Sequence, residues 1–513
     1  MLNQSFNQDT FQEIFDKENR KGKNVENIFK TEFQPSLDIL KTIQAKNVEI
    51  KKETDREKKK ILYEENKILK RERELLIKET LLLACDNLPK KINDVKLTAG
   101  PIIGKQTYIL EHKLENYFIS KKVQQNIALT YKVKQANRYA ILSQLIKLLE
   151  DNFPKVIVRT DINSFYENIP QKPLMGKINS DHLLSVLTKR FINKIILEYN
   201  ILTGQTTSSN PIGIPRGVGI SPYLSELYMR MIDNEIKTMP DLVYYSRYVD
   251  DILAVFIPNN TIHIDQTEIL KYKKELSAVV KKAGLSINAA KTQTFNLIRG
   301  IDFIKIRRFE FLDDSIKTIK VFSNPKTIEY LGYKIGTELR IKKYSSTTTK
   351  TTSFSKLSID ITDKKFIEYK KKVKAAFDDF KKKRLNNEKN AFKLLRTRIE
   401  FLTSNTRLRN NKGNVIIGVY YSNPFLNDDY SLKLLDKYLK WHIDHGGLKS
   451  GQKSDLMKLK FTEGYEKRRF ILFPLKKELY KNHNLKKGDL VNVNNRGILR
   501  YGLREINSIW KKF

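Results

Sequence analysis

Two apolar, β-prone runs, 243–248 and 252–257, flank the acidic pair Asp250-Asp251, a pattern that predicts a hairpin turning tightly at the pair. A β-branched run over 155–160 leads into Asp161 and predicts a buried strand followed by a turn or helix start. Upstream, Ile61, Ile68, Leu75 and Leu82 recur every seven residues, with Leu62, Leu69, Leu76 and Leu83 one place on. In a charged stretch free of Gly and Pro this predicts one long helix over 46–84, whose stripe packs on a second copy or on its own chain. Short helices anchored by Phe6, Phe11, Phe15, Phe29 and Phe33 are expected before it. Residues 117–122 and 129–138 alternate basic and apolar positions and predict strands with one cationic face. A helix is expected over 139–153, a Thr/Ser-rich loop over 350–358, and basic amphipathic helices over 364–383 and 391–403. Ser221-Pro222 reads as an N-cap followed by proline at the first helical position.

Length and charge narrow the picture. A chain of 513 residues predicts two to four domains. Lys and Arg number 96 against 58 Asp and Glu, a formal net charge of +38. Such an excess repels itself unless a polyanion compensates, which points to nucleic acid. The one cysteine, Cys85, excludes a disulfide framework and a zinc cluster and suits a reducing compartment. The polar N-terminus and the lack of any run of about 18 apolar residues lead us to expect a cytoplasmic protein without a membrane partner.

The candidate chemistry is carboxylate chemistry. Asp250 and Asp251 at one turn repel each other unless a cation sits there, and Mg2+ binds through one or two carboxylates plus substrate phosphates. Lys132, Lys134 and Arg138 lie on the expected cationic face and are candidate contacts to phosphate groups. The glycines of 213–219, Gly217 among them, allow close backbone approach to a substrate.

Tyr248-Val249-Asp250-Asp251 resembles the catalytic hairpin of reverse transcriptases, and four further stretches agree in order. Residues 155–169 resemble the first catalytic motif. The resemblance implies that Asp161 is the third carboxylate, that the Ile162 carbonyl is a further metal ligand, and that Phe165 and Tyr166 face the nucleotide. Tyr166 would lie under the sugar and leave no room for a 2′-hydroxyl. Residues 213–229 resemble the loop and helix that support template and nucleotide, but Arg216 stands where many members have Gln, and Glu226 where many have Asn. Residues 281–292 resemble the fourth motif, with Lys291 a candidate proton donor to pyrophosphate. Leu331, Gly332 and Tyr333 resemble the hairpin that grips the primer.

The resemblance implies an α+β, right-hand polymerase fold. A helical extension over 1–85 precedes fingers over 86–153, a palm with an antiparallel sheet over 154–340 and a helical thumb over 341–425. A mixed region over 426–513 follows. It also implies two Mg2+ ions, with Mn2+ as a substitute, held by Asp161, Ile162, Asp250 and Asp251, and joins dNTPs into a DNA product.

At the subfamily level the chain resembles bacterial defence-associated reverse transcriptases of the unknown-group and abortive-infection class. These work with a noncoding RNA, as template or scaffold, against phage. The N-terminal extension and C-terminal part resemble type 3 systems, in which two reverse transcriptases act together; a second reverse transcriptase subunit or another copy of the chain is the partner implied. A retron or group II intron-like enzyme is the near alternative, and a non-catalytic RNA-binding scaffold the farther one.

Overall fold

The computed structural model describes residues 2–150, 153, 155–258, 266–297, 318–321, 327–343, 351–408, 415–472, 497–498 and 503–510. The chain divides into two units, Met1–Asn137 with Val156–Thr294, and Arg138–Lys155 with Phe295–Phe513.

The first unit opens with helices Gln8–Arg20 and Val25–Ile28, followed by Gln34–Lys52 and Arg56–Cys85. The expected single helix over 46–84 is therefore two. The break is built from acidic side chains. The Glu53 carboxylate accepts the amides of Thr54 and Asp55, and Asp55 caps the second helix by accepting those of Glu57 and Lys58. Leu62, Leu69 and Leu76 are half-buried on this helix, while Ile61, Ile68, Leu75 and Leu82 are exposed. Asn66 bonds Asn47 of the preceding helix at 3.0 Å, and Arg73 pairs with Glu26 at 2.6 Å. Leu83, which continues the Leu62 stripe, is exposed as well, and the positions of this helix buried against its own chain are Asn66, Ile77, Leu81 and Ala84.

Strands β1 (Leu97–Ile103) and β2 (Lys105–Leu110) form a hairpin about Gly104, with Pro101 accommodated where the register shifts between Ala99 and Ile102. The strands expected at 117–122 and 129–138 are not formed. Leu114–Thr130 is a helix, because Leu114, Phe118, Ile119, Val123 and Ile127 recur at helical spacing and are all buried. The alternating lysines concealed that period.

Strands β3 (Lys155–Asp161), β4 (Leu242–Tyr248) and β5 (Asp251–Phe256) belong to an antiparallel sheet in the order β4–β5–β3. Val156, Val158, Ile252, Ala254 and Phe256 are buried in it, in one core with Leu224, Leu227 and Ile232 of helix Ser221–Lys237 and Leu276 of helix Gln266–Lys282. Burial of such side chains supplies roughly 1.5–3 kcal/mol each, which makes this core the rigid base of the acidic turn.

The second unit contains helix Arg138–Glu150, strand Ile328–Tyr330 and the long antiparallel pair Tyr333–Lys343 and Thr351–Ile361. The expected loop over 350–358 is thus strand from Thr351 on; Lys350 lies outside the described residues. Thr is β-branched and suits a pleated ladder as well as a loop. The two expected basic helices are both present within Asp363–Thr403, separated at Asn387, where the backbone leaves helical geometry (φ −156°, ψ 92°). Phe377, Phe380, Leu395, Ile399, Leu435, Leu439 and Trp510 form this unit's core. Among the described residues no helix is long and apolar enough to cross a membrane.

Candidate active site

Asp161 ends β3 and Asp251 begins β5, and the two are register partners; Asp251 also stands opposite Tyr248 across the hairpin. The turn is therefore Val249-Asp250, one residue earlier than the pattern of apolar runs suggested. Asp250 is tied to β3 through its carbonyl, which accepts the Ile162 amide at 3.1 Å. Asn288 donates its amide to the Asp161 carbonyl at 2.7 Å, and Thr292 bonds Thr160 at 2.8 Å. Residues 288–292 are thereby laid against the end of β3.

Burial, and then the charge of Asp161, push the Asp250 carboxyl above its ordinary pKa. Burial pushes Asp251 up as well, against the lowering effect of Arg159. Arg159, two residues before Asp161 on the same strand, chelates Asp251 through Nε at 2.8 Å and Nη2 at 3.1 Å. Lys291 Nζ donates to Asp161 Oδ2 at 2.6 Å, a bond that raises the lysine pKa. Two of the three carboxylates thus carry one of the protein's own cations. Among the described residues no three acidic, His or Cys side chains have the arrangement of a metal site.

The glycine loop lies beside the first motif. Ile214 and Gly213 donate their amides to the carbonyls of Tyr166 and Ile169 at 2.8 and 2.7 Å. Gly213 (φ +88°) leaves no room for a side chain: a Cβ there would stand 2.5 Å from the Tyr199 hydroxyl. Gly217 (φ +98°) turns the loop against β2, where Tyr108 donates its amide to the Arg216 carbonyl at 2.7 Å. Arg216 forks onto Glu167 at 2.9 and 3.3 Å, and Lys105 reaches the same carboxylate at 3.2 Å. The Arg216 guanidinium also lies over the Tyr166 ring, 4.9 Å from its centre. Burial raises the Tyr166 pKa, opposed by the nearby Ser225 hydroxyl and the Arg216 charge. Phe165 is buried, so it packs beneath Tyr166 and does not face a ligand.

Ser221 does not cap its helix. It is the first helical residue, with Ile220 at the cap and Pro222 next, and its hydroxyl donates to the Pro215 carbonyl at 2.7 Å. Arg247 is buried on β4 between two carboxylates of this helix, Glu226 and Asp233. Lys132 and Lys134 are exposed on the loop after helix Leu114–Thr130 and make no ion pair with the carboxylates among the described residues.

A second cluster lies within the second unit. Tyr330 pairs with Tyr333 across a two-residue turn in which Leu331 (φ +46°) and Gly332 (φ +78°) are both left-handed. The Lys365 ammonium lies 4.9 Å and the Arg138 guanidinium 5.6 Å from the Tyr333 ring centre. Lys365 donates to Asn423 at 2.8 Å, while Arg138 Nη2 is buried without a hydrogen-bond partner among the described residues. Burial, and then the Arg138 charge, lower the Lys365 pKa to about 8, with Glu368 opposing.

Residues 109–335 match the family described as reverse transcriptase (RNA-dependent DNA polymerase). The matched span holds all three carboxylates, the glycine loop and the Leu331-Gly332 turn. Residues 109–335 are a reverse transcriptase domain. Its antiparallel β4–β5–β3 sheet is the palm of an α+β right-hand polymerase fold. Among solved structures, apo telomerase from Candida tropicalis lacking its C-terminal domain aligns at 13% identity and TM-score 0.29, over 48% of this chain and 54% of that one. Telomerase from Candida albicans in complex with the TWJ fragment of telomeric RNA aligns at 12% identity and TM-score 0.33, over 72% and 65%. The chain thus spans about half to two thirds of the length of these structures. No curated protein matches the sequence.

Arg159, Glu167, Asp233 and Arg247 escaped the sequence reading. The available signal was parity: Arg159 is two residues from Asp161 on one strand and therefore shares its face.

Proposed function

We propose that the chain is an RNA-directed DNA polymerase whose reaction centre is Asp161, Asp250 and Asp251. The observation that supports this reading is the register pairing of Asp161 with Asp251, with Asp250 in the adjoining turn and electrostatically coupled to both, within a reverse transcriptase domain. Their burial and the raised pKa of Asp250 and Asp251 suit a hard cation. The three carboxylates would hold two Mg2+ ions, which supply charge stabilisation for the attacking and leaving oxygens when bound. Lys291 holds a proton beside Asp161 and is the donor we assign to the leaving pyrophosphate. Tyr166 excludes a ribose hydroxyl, and Arg216 with Glu167 backs its ring.

The Leu331-Gly332 turn is the primer grip in this reading, with Arg138 and Lys365 as its cations. Lys365→Gln is expected to weaken affinity for a primer–template duplex about tenfold, the worth of one hydrogen bond to a charged group. A phosphate binds the protonated amine, so wild-type affinity falls as pH rises through about 8. Burial raises the pKa of Tyr333 and Tyr369, so neither ring ionises near that pH. Fluorescence anisotropy between pH 7 and 9 checks this; a pH slope that survives Lys365→Gln contradicts it.

Fingers over 86–153, palm over 154–340 and thumb over 341–425 are our assignment. The motif set and the N-terminal extension favour the bacterial defence-associated class, acting in the cytoplasm with a noncoding RNA. The formal charge of +38 supports an RNA partner. Purified with its bound nucleic acid and given labelled dNTPs and Mg2+, the protein is expected to make DNA complementary to that RNA. DNA unrelated to the RNA would overturn template-directed synthesis, and RNA binding without any DNA would favour the scaffold.

A further inference from the structure

The acidic turn is in a conformation its own sequence disfavours. Val249 has φ +61°, in the left-handed region, and Asp250 does not share it. A two-residue hairpin turn with only its first central residue at positive φ is the kind that favours Gly there. A β-branched residue at that place is an outlier that the surroundings must hold.

Arg247 does the holding. Its Nη1 donates to the Val249 carbonyl at 2.7 Å. The other donors are taken by two carboxylates. Nε and Nη2 reach Asp233 at 2.9 and 2.8 Å, and Nη1 and Nη2 reach Glu226 at 3.1 and 2.8 Å. All five N–H donors of the guanidinium are used. Glu226 and Asp233 are seven residues apart on helix Ser221–Lys237, two turns along one face. Tyr245 braces the far end, donating to Asp233 at 2.6 Å. Tyr245 and Arg247 lie two residues apart on β4, so they project to the same face.

We propose that Arg247, clamped by Glu226 and Asp233, is a positioning residue that locks Val249 in the left-handed conformation and thereby aims Asp250. This rests on reading the Val249-Asp250 turn as part of the reaction centre. It also gives Glu226 a role: the carboxylate is the counter-charge that a buried arginine at 247 needs. Lysine could not replace that arginine, because an ammonium is a point donor and cannot fork onto both carboxylates and a carbonyl in one plane.

Removing Arg247 alone would strand two half-buried carboxylates and endanger folding. The test therefore uses the full chain carrying Arg247→Met, Glu226→Gln and Asp233→Asn together. Its fold is checked by circular dichroism, and Arg247→Lys is run beside it. Two quantities are read: turnover and KM for dNTP on a primed RNA, and Mn2+ affinity by electron paramagnetic resonance without substrate. Both variants are expected to lose about tenfold in turnover, equal to about 1.4 kcal/mol, with KM unchanged and Mn2+ bound more weakly. Adding Val249→Gly is expected to restore most of both, because glycine holds positive φ without a clamp. A merely structural role for Arg247 would not be rescued by a residue that touches none of its partners' side chains. Wild-type turnover and Mn2+ affinity in either folded variant would overturn the proposal, as would failure of Val249→Gly to restore them. If the wild type makes no DNA, the polymerase reading fails and the Mn2+ titration alone decides this one.

Discussion

Asp250→Asn is expected to lower DNA synthesis about a thousandfold and, in EDTA, to raise the melting temperature. The two effects have one cause. The carboxylate is pushed above its ordinary pKa by burial and by Asp161 and Asp251, so its charge costs folding free energy when no cation is present. The sign follows. A raised folded-state pKa means that wild-type stability grows as pH falls toward it, and that the ionised form at neutral pH is the less stable one. Asparagine removes the charge and the repulsion. It also removes charge stabilisation worth several kcal/mol at the transition state, about a thousandfold at roughly 4 kcal/mol. Thermal melts at several pH values and a primer-extension assay check both halves. A variant that is less stable and equally active would contradict the assignment of Asp250.

Tyr166→Ala is expected to cost little dNTP turnover but to cut discrimination against ribonucleotides by about a hundredfold, the order a single hydroxyl contact can carry. The ring is backed by the Arg216 guanidinium, 4.9 Å from its centre. Arg216 is itself fixed by Glu167, so the ring rests on a braced support. Incorporation of dGTP against GTP opposite a template C measures the ratio. An unchanged ratio would return Tyr166 to a packing role.

The palm was legible because its signals are local. An apolar strand ending in Asp161 and two apolar runs about an acidic pair determine the partners, and alternation determines the faces. The stretch over 117–122 was misread because Lys121 and Lys122 lie between buried Phe118, Ile119 and Val123, so a helical period looked like alternation. The split after Lys52 depended on side chain to backbone bonds by Glu53 and Asp55 that a periodicity count does not weigh. Arg159 and Arg247 were not singled out in the sequence. Only the fold shows that each is held by carboxylates, Asp251 for the first and Glu226 with Asp233 for the second. The departures from the family pattern were visible as single letters. Their compensation was not: Arg216 is answered by Glu167, and Glu226 by Arg247.

The most direct test of the central claim is extension of a labelled DNA primer on a defined RNA template by the purified full chain, with Asp161→Asn as control. The account predicts dNTP-dependent extension whose sequence follows the RNA, requires a divalent cation and is lost in the variant. Extension by Asp161→Asn at the wild-type rate would contradict the assignment of the reaction centre to these three carboxylates.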